Sequence, residues 1–159
     1  MTLFHGSYLA VEKPDVSLSR NNIDFGRGFY TTPMQEQAIN RAKRFKRKRG
    51  QSVVSIYEID MDALPDKVKI LNFDTYSEEW LDFIHICRRE KHSGDYDIVI
   101  GGVANDMVFN ALGIFESGWL DKSEAIKRLR YERPSIQYCF RNQSIIDNYL
   151  KFIGSEVLK

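Results

Sequence analysis

Two short segments hold side chains whose type and spacing suit chemistry. In Leu3-Phe4-His5-Gly6-Ser7 an imidazole is followed by glycine, so a ligand can approach both the ring and the neighbouring main-chain N–H and C=O groups. In Asp24-Phe25-Gly26-Arg27-Gly28-Phe29-Tyr30-Thr31-Thr32 a flexible Gly-x-Gly turn runs into an aromatic strand, and Tyr30 suits stacking on a flat ring. Alone, each segment also fits a plain strand end and a plain turn. Other chemistries find no pattern. There is no Gly-x-x-x-x-Gly-Lys phosphate loop and no Gly-x-Ser-x-Gly elbow. Cys87 and Cys139 stand far apart without metal-ligand spacing, and His85 and His92 have no cysteine partner, so no metal site is expected.

A third segment is set apart by charge. Residues 41–49 read Arg-Ala-Lys-Arg-Phe-Lys-Arg-Lys-Arg, seven basic in nine. Without those seven the chain has 16 basic and 22 acidic residues, a formal −6 against +1 for the whole. Such a block usually marks a solvated helix face, and it also fits an anionic partner such as nucleic acid. Phe45 is its sole aromatic, so single-strand recognition is not specifically signalled.

The elements that must position these groups follow from pattern. With 159 residues, 43% hydrophobic and 28% charged, the chain reads as one soluble domain over 1–159, burying about 70% of its unfolded surface. No apolar run nears the roughly 20 residues of a membrane span, and no secretory signal is visible at the amino terminus. With only two separated cysteines, a reducing cytoplasm is the expected compartment. Residues 2–7 read as a strand, 8–24 as a long loop and 28–32 as a second strand. Thr32 then suits an N-cap, with Pro33 at the first helical position and Glu36 in the first turn, of a helix ending at Gly50. Alternation predicts strands over 52–60 and 68–73, and a helix capped by Ser77 with Trp80, Phe83, Ile84 and Cys87 on one face. A short strand at 97–101, helices over 106–116 and 122–132, a strand at 135–140, a helical turn at 144–149 and a strand near 151–157 complete the order. The expected class is α+β.

Together the motifs resemble the ADP-ribosyltransferase superfamily, in its diphtheria-toxin and poly(ADP-ribose) polymerase-like branch. There a first strand carries His-Gly-Ser or His-Gly-Thr, and a later segment reads Phe-Gly-x-Gly-Ile-Tyr before a helix. Closer still is a small uncharacterised bacterial family of that superfamily, with His-Gly-Ser and Asp-Phe-Gly-x-Gly-Phe-Tyr. That resemblance covers nearly the whole chain, and some such proteins are thought to be toxins of toxin–antitoxin pairs. It implies two small packed sheets with an NAD cleft between them. His5 would bond a hydroxyl of the adenosine ribose of NAD, and Gly6 would hold the nicotinamide carboxamide through its backbone. Ser7 would border that pocket, Tyr30 would stack on the nicotinamide ring, and Gly28 and Phe29 would shape the turn.

The third motif of the superfamily is a Glu on a late strand, and the matching position here holds Gln137. A Gln keeps an acceptor oxygen but brings no charge to the cation that develops as nicotinamide leaves. Polymer synthesis is therefore not expected. The resemblance implies transfer of one ADP-ribose to a protein or nucleic-acid acceptor, NAD hydrolysis, or an NAD-binding module of weak activity. Aligned without gaps, a Ser and a second stacking Tyr of the polymerase-like branch fall on Ala38 and Arg41, so a second aromatic wall would come from Phe25 or Trp80. Asn105 or Asp106 could contact ribose or cap a helix. Glu78 and Glu79 fit first-turn residues, and Glu58 could point inward. For the block at 41–49 the resemblance adds NAD phosphates and an acidic antitoxin as further partners.

Overall fold

In the computed structural model, residues 1–89, 93–104, 113–114, 117–119, 121–129 and 135–159 are described. A three-stranded antiparallel sheet runs in the order β1 (Thr2–Ser7), β3 (Val53–Glu58), β7 (Lys151–Val157). A four-stranded sheet runs β2 (Phe29–Thr31), β6 (Ile136–Phe140), β5 (Ile98–Gly102), β4 (Ile70–Asn72), with only the last pair parallel. Among the described residues four α-helices of a turn or more flank them: α1 (Gln35–Arg49), α2 (Glu78–Arg88), α3 (Lys122–Leu129) and α4 (Gln143–Tyr149). The class is α+β with two small sheets. The helix expected at 106–116 and the residues Asn105, Asp106 and His92 lie outside the described residues.

Three apolar clusters explain the arrangement. Trp80, Leu81, Phe83, Ile84 and Cys87 lay the apolar stripe of α2 on Val99 and Cys139 of the four-stranded sheet. A second cluster takes Leu3 and Tyr57 from one sheet, Phe29, Ile98 and Phe140 from the other, and Ile145 and Ile146 from α4. This cluster welds the two sheets. In the third, Ala38 and Ala42 of α1 meet Val54, with Phe4 and Ile39 beside them. Small residues there have a geometric cause. A Cβ on Gly6 would lie 2.0 Å from the Ala38 carbonyl oxygen and 2.8 Å from the Ala42 nitrogen, so α1 rests directly on the β1 backbone.

Helix α1 starts at Gln35 after Met34, two residues later than the Thr32 cap predicted from sequence. The reason is that the Thr32 backbone is held in an isolated bridge to β1: its N–H donates to the Phe4 carbonyl at 2.9 Å, and its own carbonyl accepts from Phe4 at 2.8 Å. Helix α2 begins as expected, with the Ser77 hydroxyl accepting from the Trp80 N–H. The long loop before β2 is pinned rather than free. Val11 donates to the Ser55 hydroxyl, Tyr57 donates to the Val11 carbonyl, and Gln143 holds both Pro14 and Val16. Among the described residues no helix is long and apolar enough to cross a membrane.

Candidate functional site

The two sheets meet along β1 and β2 at one bridge, Phe4 with Thr32. In an unbroken antiparallel ladder the next hydrogen-bonded pair would be Gly6 with Tyr30. That pair does not form. Instead the Tyr30 carbonyl accepts from His5 Nδ1 at 2.6 Å, so the imidazole stands in the gap where the strands part. A carbonyl only accepts, which places the ring proton on Nδ1 and leaves Nε2 of the neutral ring with a lone pair. Burial favours that neutral form and lowers the His5 pKa; the bond to Tyr30 opposes this, and the positive charge of Arg41 adds to it. The ring packs on Phe29, centroids 4.6 Å apart. Gly6, next along β1, makes no backbone bond across the split, and by strand alternation its N–H and C=O face the same gap as those of Phe4.

Tyr30 is held by its hydroxyl, which donates to the Gly26 carbonyl at 2.6 Å and accepts from the Phe25 N–H at 3.0 Å. Burial, with Cys139 alongside, raises the phenol pKa well above its ordinary value. The phenol is thus a structural tether, and the half-buried ring packs against the core cluster under α2. Gly26 takes a φ of 75°, which glycine alone adopts without strain. Gly28 has no room for a side chain, since a Cβ would sit 2.4 Å from Cys139 Sγ.

Gln137 lies on β6, 8% exposed. Its Nε2 donates to Asp24 Oδ2 at 3.3 Å. Asp24 also receives the Ala104 N–H at 3.2 Å and, through Oδ1, Arg88 Nη2 at 2.8 Å. A carboxylate only accepts, so Asp24 fixes the amide with its nitrogen toward the carboxylate and its carbonyl oxygen away from it. Asp24 is the site residue that sequence reasoning passed over. It heads the Asp-Phe-Gly-x-Gly-Phe-Tyr segment, and that position was its only signal. The carboxylate beside Gln137 therefore comes from the turn before β2.

Several expected site residues are placed elsewhere. Phe25 and Trp80, expected as a second aromatic wall, are both fully buried. Phe25 covers Gly101 beside Phe73, and Trp80 Nε1 donates to the Gly102 carbonyl at 3.2 Å, so both rings serve the core under α2. Phe25 is therefore not a wall of an open cleft. Ser7 is also occupied: its hydroxyl donates to the Leu9 carbonyl and accepts from the Leu9 N–H, closing the end of β1. Ala38 is buried under Gly6, and Arg41 is exposed with its guanidinium 5.6 Å from the Phe45 ring centre. Glu58 faces solvent, as do Glu78 and Glu79 in the first turn of α2.

Cys139 is buried and its thiol is pushed up to about 12 by that burial, which suits packing and not nucleophilic attack. Among the described residues no group of three His, Cys, Asp or Glu side chains is placed to hold a metal ion. An open cleft of about 270 Å³ lies at the other end of β6 from Gln137, lined by Arg27, Gly94, Asp95, Tyr96 and Arg141, and includes none of His5, Tyr30 or Gln137. No curated protein and no solved structure matches the chain. The family described as "Protein of unknown function (DUF3990)" matches residues 1–152, nearly the full length, and the chain belongs to that family.

Proposed function

We propose that this protein is an NAD-dependent mono-ADP-ribosyltransferase whose site is the split between β1 and β2. The observation that carries the reading is the parting of those strands beyond the Phe4–Thr32 bridge, with His5 bonded to the Tyr30 carbonyl. The residues there fit NAD on their chemistry. Neutral His5 offers Nε2 as an acceptor for a ribose hydroxyl, and the free edge at Gly6 offers a donor and an acceptor to a carboxamide. The Tyr30 ring, anchored by its own hydroxyl, offers a face to the nicotinamide.

In the reaction the bond between the nicotinamide nitrogen and ribose C1′ breaks, the bonding pair leaves with nicotinamide, and an acceptor nucleophile replaces it at C1′ and loses its proton. The chain's part is to bind and orient. Gln137, with its carbonyl oxygen turned away from Asp24, would receive a hydroxyl of the nicotinamide ribose and turn a dipole toward the developing cation. A second reading, an NAD-binding module of low turnover, is favoured by two observations: the position is an amide, and the neighbouring Asp24 is paired with Arg88. Labelled NAD incubated with the protein and whole-cell lysate separates them. Transfer predicts nicotinamide release with label entering a macromolecule; hydrolysis gives free ADP-ribose, and the binding module gives an NAD-dependent rise in melting temperature alone. Tyr30→Ala is expected to weaken NAD binding severely, and Gln137→Ala to reduce turnover more than binding. Neither release nor a melting shift at millimolar NAD would end both readings.

A further inference from the structure

The basic helix is not absorbed by the NAD site, and the fold adds to it what its sequence lacked. Tyr8, 39% exposed just past the end of β1, stands with its ring centroid 5.9 Å from that of Phe45 on α1. Each ring carries a guanidinium: Arg49 lies 5.2 Å from the Tyr8 centroid and Arg41 5.6 Å from that of Phe45. Lys43, Arg44, Lys46 and Lys48 are exposed around them. We propose that α1 and the end of β1 form a binding surface for single-stranded nucleic acid, centred on the Tyr8–Phe45 pair.

Two properties select this ligand class. Exposed cations in a row, on a chain that is otherwise net acidic, repel one another and are relieved by a polyanion. A polyanion of carboxylates or a duplex would use that charge alone. The ring pair flanked by guanidinium planes offers in addition flat faces for unpaired bases. From Arg41 to Arg49 the helix rises about 12 Å, the length of roughly three to four nucleotides of one strand. The surface borders the split, since His5 feels the charge of Arg41. It stands on α1 and the ring pair, and its test contains no NAD.

Fluorescence anisotropy with 5′-labelled dT12 and rU12, a 12-base-pair duplex and polyglutamate as competitor tests it. Binding of a single strand is expected, with log K falling against log salt at a slope of about −2 to −3, from about 0.7 per phosphate contacted. Tyr8→Ala should weaken binding about tenfold and leave the slope unchanged. Lys46→Ala and Lys48→Ala should each flatten the slope by about 0.7. Because Tyr8 is exposed, unfolding curves of Tyr8→Ala are expected to match the parent; should that variant misfold, Tyr8→Leu, which keeps the bulk and the charge but removes the flat ring, carries the same comparison. Equal binding of duplex or polyglutamate with no effect of Tyr8→Ala overturns the proposal in favour of a charge-only surface, and no binding at 50 mM salt overturns it outright.

Discussion

Gln137→Glu places a second carboxylate where an amide now donates to Asp24 Oδ2 at 3.3 Å. Two unit charges at that separation repel by about 5 kcal/mol at an effective dielectric near 20. The Asp24 side chain is 17% exposed, so water screens this only in part, while Arg88 at 2.8 Å offsets some of it. A net loss of about 2 kcal/mol is expected, lowering the melting temperature by about 4–8 °C at this chain length. The direction with pH is fixed. A carboxylate beside another takes up its proton more readily in the folded state, so the loss is full above the raised folded pKa and vanishes below the ordinary unfolded value of about 4. Asp24→Asn combined with Gln137→Glu rebuilds the hydrogen bond with donor and acceptor exchanged. Urea unfolding of the parent, both single variants and the double variant at pH 7 and pH 4 measures the coupling. Nicotinamide release is expected to rise in the double variant, where the strand carries the charge, and not in Gln137→Glu alone. A Gln137→Glu protein within 0.5 kcal/mol of the parent at pH 7, with strictly additive variants, would refute the pairing argument.

Three further outcomes follow from the geometry. Gly6→Ala drives a methyl group into the Ala38 carbonyl and is expected to destabilise by about 1–3 kcal/mol in denaturant titrations, because backbone and not a flexible side chain must move. Tyr30→Phe removes the hydroxyl bonds to Gly26 and Phe25, costing about 1–3 kcal/mol of stability, yet keeps the ring and so should retain the NAD-dependent melting shift that Tyr30→Ala loses. The lowered His5 pKa means that the fold favours the neutral ring: the stabilisation is complete above the unfolded value of about 6.5 and is lost as pH falls through the lower folded value. His5→Asn can still donate to the Tyr30 carbonyl but does not titrate, so its melting temperature should fall less than the parent's between pH 7 and pH 5.

Strand periodicity made much of the architecture legible. Residues 2–7 and 151–157 coincide with β1 and β7, and the Ser77 cap and the Trp80 face of α2 stand as the spacing predicts. The start of α1 was misplaced because capping preference is local, whereas the backbone of Thr32 is claimed by Phe4, 28 residues earlier. The site was legible only by type. His5, Tyr30 and Gln137 could be picked out, but not the choice of Phe25 and Trp80 for the core, which depends on the empty space over Gly101 and on the Gly102 carbonyl. Nor does any periodicity show that Asp24, in an irregular loop, meets Gln137 across 113 residues. Likewise Tyr8 and Phe45 become neighbours only once α1 lies on β1.

The cluster that welds the sheets also orders events during synthesis. Leu3 leaves the ribosome about 140 residues ahead of Ile145, Ile146 and Leu150, with which it packs. Strand β1 can pair with β3 once Glu58 has emerged, but β2 has to wait for β6 at Ile136–Phe140. Until residue 150 has emerged, a nascent chain holds Leu3, Phe29 and Tyr57 without the cover of Ile145, Ile146 and Leu150, so this cluster closes late and stays open to aggregation until then.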